Sequence, residues 1–182
     1  MMNVRDTTET DEPAIRQVHE AAFGPKAGRT IADLAVSLLH DPSALPLISL
    51  LACAESTPVG HVLFTRVRIS GLEESPMAHI LAPLAVVPDR QCHGTGTQLV
   101  RTGLSILAES GCKLVFVLGH PGYYPRFGFQ AAGRLGFLAP YPIAEKNADA
   151  WMVLELCQGT IGTVAGTVLC ADSLNEPQHW IE

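Results

Sequence analysis

Nowhere does the chain carry an apolar run of the roughly 18 residues that a membrane-spanning helix needs. Its start, Met1-Met2-Asn3-Val4-Arg5, has no apolar signal core either. The five cysteines, at 53, 92, 112, 157 and 170, are odd in number and form no CxxC pair, which argues against a disulfide framework or a zinc site. The seven histidines, at 19, 40, 61, 79, 93, 120 and 179, lack ligand spacing, so most are expected to be surface or satisfied core residues and no metal is expected. A reducing cytoplasm is the expected location. Positive charge is short: 12 Lys and Arg face 18 Asp and Glu, and a net charge of −6 offers no footprint for nucleic acid. That balance agrees with a cationic partner. Neither repeats nor a low-complexity linker break up the 182 residues, and with 47% hydrophobic and only 16% charged residues the chain can bury one substantial core.

What is present is concentrated in residues 81–99, LAPLAVVPDRQCHGTGTQL. An apolar β-type run ends at Pro88, and a helical pattern follows from about Thr97 to Ser110 with Leu99, Leu104, Ile106 and Leu107 largely on one face. The connection holds Gln91, Cys92, His93, Gly94, Thr95 and Gly96. The first N–H groups of a helix lack intrahelical partners and sit at the positive end of its dipole, so a phosphate placed there meets several aimed donors. Glycines at 94 and 96 let backbone and phosphate approach closely. Two familiar phosphate loops are excluded. A dinucleotide fingerprint needs a third glycine where Leu99 stands, and an acidic ribose partner about 20 residues on. A triphosphate loop needs a Gly-Lys-Ser/Thr ending, and no lysine is present.

A second apolar strand, Leu114–Leu118, leads to Gly119-His-Pro-Gly122 and then to Tyr123-Tyr-Pro-Arg-Phe-Gly-Phe129. Strand, glycine loop, helix, strand and short aromatic helix, over about residues 80–130, resemble the GNAT superfamily of acyl-CoA N-acyltransferases. That resemblance implies an α+β (mixed α/β) fold: a mixed, mostly antiparallel sheet with helices on both faces. It also implies acetyl-CoA as cosubstrate and an amine acceptor. The coenzyme pyrophosphate would lie on Gln91, Cys92, His93, Gly94, Thr95, Gly96 and Thr97, and its pantetheine arm along Leu84, Ala85, Val86 and Val87. A family tyrosine four residues before a Gly-Phe pair often protonates the departing thiolate; Tyr124 stands at that spacing, with Tyr123 the second choice. In two places the chain departs from the family pattern: Cys92 stands where glycine is common and His93 where a lysine or arginine is usual, which weakens phosphate attraction.

The flanks fit the same order of elements. Asn3-Val4-Arg5 reads as a strand, Asp11-Glu-Pro-Ala as a helix start, residues 30–39 as a second helix, and 47–54 with 59–69 as a hairpin turning at Ser56–Gly60. Residues 79–87 and 152–157 read as further strands. Residues 1–157 are expected to form the acyltransferase domain, and 158–182 an extension packing on it, rather than a substrate lid. Trp180 and Ile181 would pack on a neighbour or on the domain itself, and a homodimer is left open.

The chemistry expected is direct attack of a primary amine, of a small molecule or a protein, on the thioester in a ternary complex. Backbone N–H groups near Val86 and Val87 would hold the thioester, and Tyr124 would meet the sulfur. The base candidates are Glu73, Glu74 and His79 near the entry to the central strand, with His120 a fourth by its proximity to the tyrosines. The alternative is a non-catalytic acyl-CoA-binding sensor or regulatory subunit that keeps the loop and lacks a working acid and base.

Overall fold

The computed structural model describes residues 1–181. In chain order the elements are β1 (Met2–Asp6), α1 (Glu12–Leu39), β2 (Ile48–Ala54), β3 (Thr57–Ile69), β4 (Ala78–Val86), α2 (Thr95–Glu109), β5 (Leu114–Leu118), β6 (Gln130–Ala131), β7 (Phe137–Leu138), β8 (Trp151–Glu155) and β9 (Gly166–Leu169). The main sheet runs β1-β2-β3-β4-β5-β8-β6. Its pairings are antiparallel except β4 with β5.

Alternation along the strands sends side chains to two cores. Leu63, Val67, Leu51 and Phe116 face α1, where Ile15, Leu34, Ala35 and Leu38 meet them. Val62, Phe64, Leu50 and Val115 face α2 and its Leu99, Val100, Leu104 and Leu107. Each large side chain buried this way contributes roughly 1.5–3 kcal/mol, so both helices are fixed to the sheet by their apolar stripes. α2 lies especially close: a Cβ on Gly103 would stand 2.1 Å from Phe64 Cε2.

The two helices expected before β2 form one helical run broken at Gly24, whose φ of 70° and ψ of −174° are not helical. Pro25 follows at once, where its fixed φ suits a new first turn. The hairpin turns at Glu55-Ser56, both with positive φ, rather than at Ser56–Gly60. Pro58 is tolerated inside β3 because the β2–β3 register shifts beside it. The aromatic segment is a short 3-10 turn over Tyr124–Phe127, closed by Gly128 at φ 99°.

A polar chain crosses the first core. Thr7 Oγ1 donates to Ser49 Oγ at 2.7 Å, Ser49 Oγ lies 2.9 Å from His61 Nε2, and His61 Nδ1 lies 2.8 Å from His19 Nε2. Burial lowers both imidazoles, His19 to about 4, so both are neutral at pH 7.

Described residues after 157, up to 181, pack on the same sheet and core. β9 pairs with the end of β3 and with β7, and Trp180 sits edge-on to Trp151 at 5.6 Å. No helix among the described residues is long and apolar enough to cross a membrane.

Candidate active site

β4 and β5 are partners over only three pairs, ending at Ile80 and Phe116. Beyond them β4 bulges against β3, placing Ala82 and Pro83 opposite a single residue, while β5 stays with β8. The strands therefore part, and between them opens a cavity of about 660 Å3, of ligand-binding size. Val87 N–H donates to Val59 O at 3.0 Å. Alternation in an antiparallel ladder then turns the N–H groups of Leu84 and Val86 away from β3, toward the gap. Leu84 lines the cavity, and so do Leu118 and Gly119 from the opposite strand end.

At one end of the gap stands the N-terminus of α2. Cys92 (φ 61°) and Gly94 (φ 86°) bend the loop so that α2 begins at Thr95, two residues earlier than the sequence pattern suggests. Gln98 N–H makes the first helical bond, to Gly94 O at 2.9 Å, and the preceding N–H groups are left as donors. A Cβ at Gly96 would lie 2.8 Å from the hydroxyl of Tyr123, so a side chain there would displace that ring. Gln91 uses its amide to donate to Val86 O at 2.9 Å, tying loop to strand. Thr95 turns inward and donates to Met2 Sδ at 3.3 Å. The exposed His93 ring is held with Nδ1 2.6 Å from Gln91 O.

Tyr124 is buried in the cavity wall, edge-on to Tyr123 and to Phe129 at 5.0 and 5.7 Å. Its ring presses on the backbone at Gly119, where a Cβ would come within 2.4 Å of it. Burial, then the neighbouring Tyr123, pushes the phenol well above its ordinary value, so it holds its proton at neutral pH. Arg126, which sequence reasoning passed over, lies 4.4 Å from the Tyr123 ring centroid and donates from Nε to Tyr123 O at 2.9 Å. This puts a permanent cation on the outer face of the tyrosine that touches Gly96.

Three of the four base candidates are not brought to this place. Glu73 and Glu74 are exposed in the loop before β4, at the paired end of the strands, and neither lines the cavity. His79 is buried in the sheet with Nε2 2.8 Å from Pro46 O and Nδ1 3.5 Å from Cys112 Sγ. His120 does line the cavity, but its Nδ1 accepts from Gly122 N–H at 3.0 Å, so its proton sits on the other nitrogen.

The remaining wall comes from residues that no motif announced. The second half of α1 supplies Lys26, Thr30, Ile31 and Leu34, and the chain end supplies Gln178 and His179. No aspartate or glutamate lines the cavity among the described residues. The tail is anchored by Trp180, whose indole N–H donates to Leu174 O at 2.9 Å.

A sheet splayed at its one parallel pair in the main sheet, with a helix N-terminus beside the gap, defines an acyl-CoA N-acyltransferase fold. The comparisons agree: residues 3–132 match the model of the acetyltransferase (GNAT) domain, and the chain belongs to that family. It is 48% identical over 167 residues to the uncharacterized N-acetyltransferase YjhQ of Escherichia coli (strain K12), covering 91% of this chain and 90% of the relative. The crystal structure of YhbS from Escherichia coli, a GNAT family N-acetyltransferase in complex with CoA, superimposes with a TM-score of 0.85 at 28% identity, over 96% of this chain and 92% of that one. A GNAT family acetyltransferase from Brucella melitensis in complex with acetyl-CoA gives 0.75 at 31% identity, over 96% and 98%.

Proposed function

We propose that this N-acetyltransferase binds acetyl-CoA in the gap between β4 and β5 and transfers the acetyl group directly to a primary amine. The observation that carries the reading is the cavity at the β4–β5 parting, with a protonated Tyr124 in its wall and the start of α2 behind Tyr123, whose hydroxyl lies against Gly96. The pyrophosphate would take the backbone N–H groups at the start of α2, and the pantetheine arm the outward N–H groups of Leu84 and Val86. As the amine attacks, charge develops on the thioester oxygen, where such backbone donors stabilise it. Tyr124 then gives its proton to the departing sulfur. Relatives crystallised with CoA and acetyl-CoA support the choice of coenzyme. Five free cysteines suit work in a reducing cytoplasm.

The test is release of free CoA thiol from acetyl-CoA across a panel of primary amines, read beside a thermal-shift titration with acetyl-CoA. Binding with turnover on at least one amine is the expected result. Binding with none across a broad panel would favour the non-catalytic sensor.

A further inference from the structure

We infer that His179, from the chain end, is the general base that takes the proton from the acceptor amine. The inference rests on the acetyltransferase reading and supplies the group that reading leaves open.

An amine arriving as ammonium must lose a proton before its lone pair can attack. Of the titratable groups that line the cavity among the described residues, the tyrosines are acids and Lys26 is an ammonium. His120 carries its proton on the nitrogen left over from the Gly122 contact. His179 remains. His179, half-buried, lines this cavity and also an outer cleft shared with Asp33, Ser37, Ser173 and Glu176. One residue thus borders both the cavity and a cleft whose rim carries Asp33 and Glu176, where a proton can be passed on. The charged groups around it are Lys26 and Asp33 on α1, the latter bridged to Arg16, and Glu176 on its own turn. Burial lowers its affinity for a proton and Glu176 partly opposes this, so the ring is neutral at pH 7. Trp180, next along, is locked into the core by Leu174 O and Trp151, which fixes the backbone beneath the ring.

The step balances. His179 takes one proton from the ammonium; the neutral amine forms the C–N bond; the C–S bond breaks and its electron pair leaves on sulfur, which takes the Tyr124 proton. The new amide nitrogen returns a proton to Tyr124, and the proton on His179 leaves through the outer cleft.

The test is the pH profile of kcat/KM from pH 5.5 to 9.5 for wild type and His179→Gln, with 2-phenylethylamine as acceptor probe. Wild type should show an acid limb below pH 6.5. The variant should be roughly 10²- to 10⁴-fold slower at pH 7 and climb with pH as free amine accumulates, closing much of the gap by pH 9.5, with imidazole restoring part of the rate. A loss equal at every pH, or under threefold at pH 7, would overturn the assignment. Independently of any acceptor, the NMR titration of the His179 ring in the CoA-bound protein should give a midpoint below 6.5; a ring still protonated at pH 7 refutes it. Failure of acetyl-CoA to shift the melting temperature of wild type would instead strike the coenzyme reading.

Discussion

Replacing Tyr124 by phenylalanine separates chemistry from packing. The ring keeps its edge-on contacts with Tyr123 and Phe129 and its seat on Gly119, so only the hydroxyl is lost. Loss of one hydroxyl costs about 1 kcal/mol at most when no buried partner is stranded. For a chain of this size that is a fall in Tm of about 4 °C or less. Acetyl-CoA binding should be unchanged. A positioned general acid contributes roughly 10²- to 10⁴-fold in rate, about 3–5 kcal/mol of barrier, which exceeds the stability term several-fold. Turnover with an amine the wild type acetylates, measured as CoA thiol release under conditions where chemistry is rate-limiting, should fall by that factor. Tyr123→Phe should cost much less, since that hydroxyl rests against Gly96 at the coenzyme loop. Near-normal turnover of Tyr124→Phe would place the acid elsewhere, and a variant that fails to fold would make Tyr124 a core residue.

Further outcomes follow from the same geometry. Acetyl-CoA at 100 times its dissociation constant should stabilise the protein by about 2.7 kcal/mol; Gly94→Val, which forces a branched side chain to φ 86°, should abolish the thermal shift. Gly103→Ala puts a methyl 2.1 Å from Phe64 Cε2, and the overpacking should lower stability by about 1–3 kcal/mol in urea melts. The folded His19 binds its proton less well than an unfolded histidine of about 6.5, so its contribution is full above pH 6.5 and is lost as pH falls toward 4. That loss is about 3 kcal/mol by pH 4, and His19→Asn should flatten the dependence of Tm on pH over this window. The lowered carboxyls of Asp11 and Asp41 act in more acid solution, where stability falls as they protonate.

The proposed coenzyme half of the site is legible in the sequence because its parts are local. Residues 84–97 are one strand, one loop and one helix start, and glycine spacing encodes the turn. The longer strands follow from apolar runs and turn residues in the same way, and their order from the family resemblance, whereas the short β6, β7 and β9 carry too few residues to show a pattern. The acceptor half is not local. Lys26 and Leu34 reach the cavity from a helix broken at Gly24, and His179 from a tail 55 residues beyond Tyr124, so no spacing marks them. Glu73 and Glu74 look close to the central strand in sequence, but they stand at the end where β4 and β5 are still paired. His79 lies on β4 itself, yet ahead of the parting and bonded within the sheet. A negative net charge suggests a cationic partner, whereas the cavity wall, among the described residues, carries Lys26 and no carboxylate.

A crystal structure with acetyl-CoA bound tests the arrangement most directly. The pyrophosphate should lie on the backbone N–H groups at the start of α2, the pantetheine arm should run along Leu84 and Val86 between β4 and β5, and the thioester sulfur should stand within hydrogen-bond reach of the Tyr124 hydroxyl. Acetyl-CoA bound outside the β4–β5 gap, or with its sulfur away from Tyr124, would contradict both the coenzyme site and the acid.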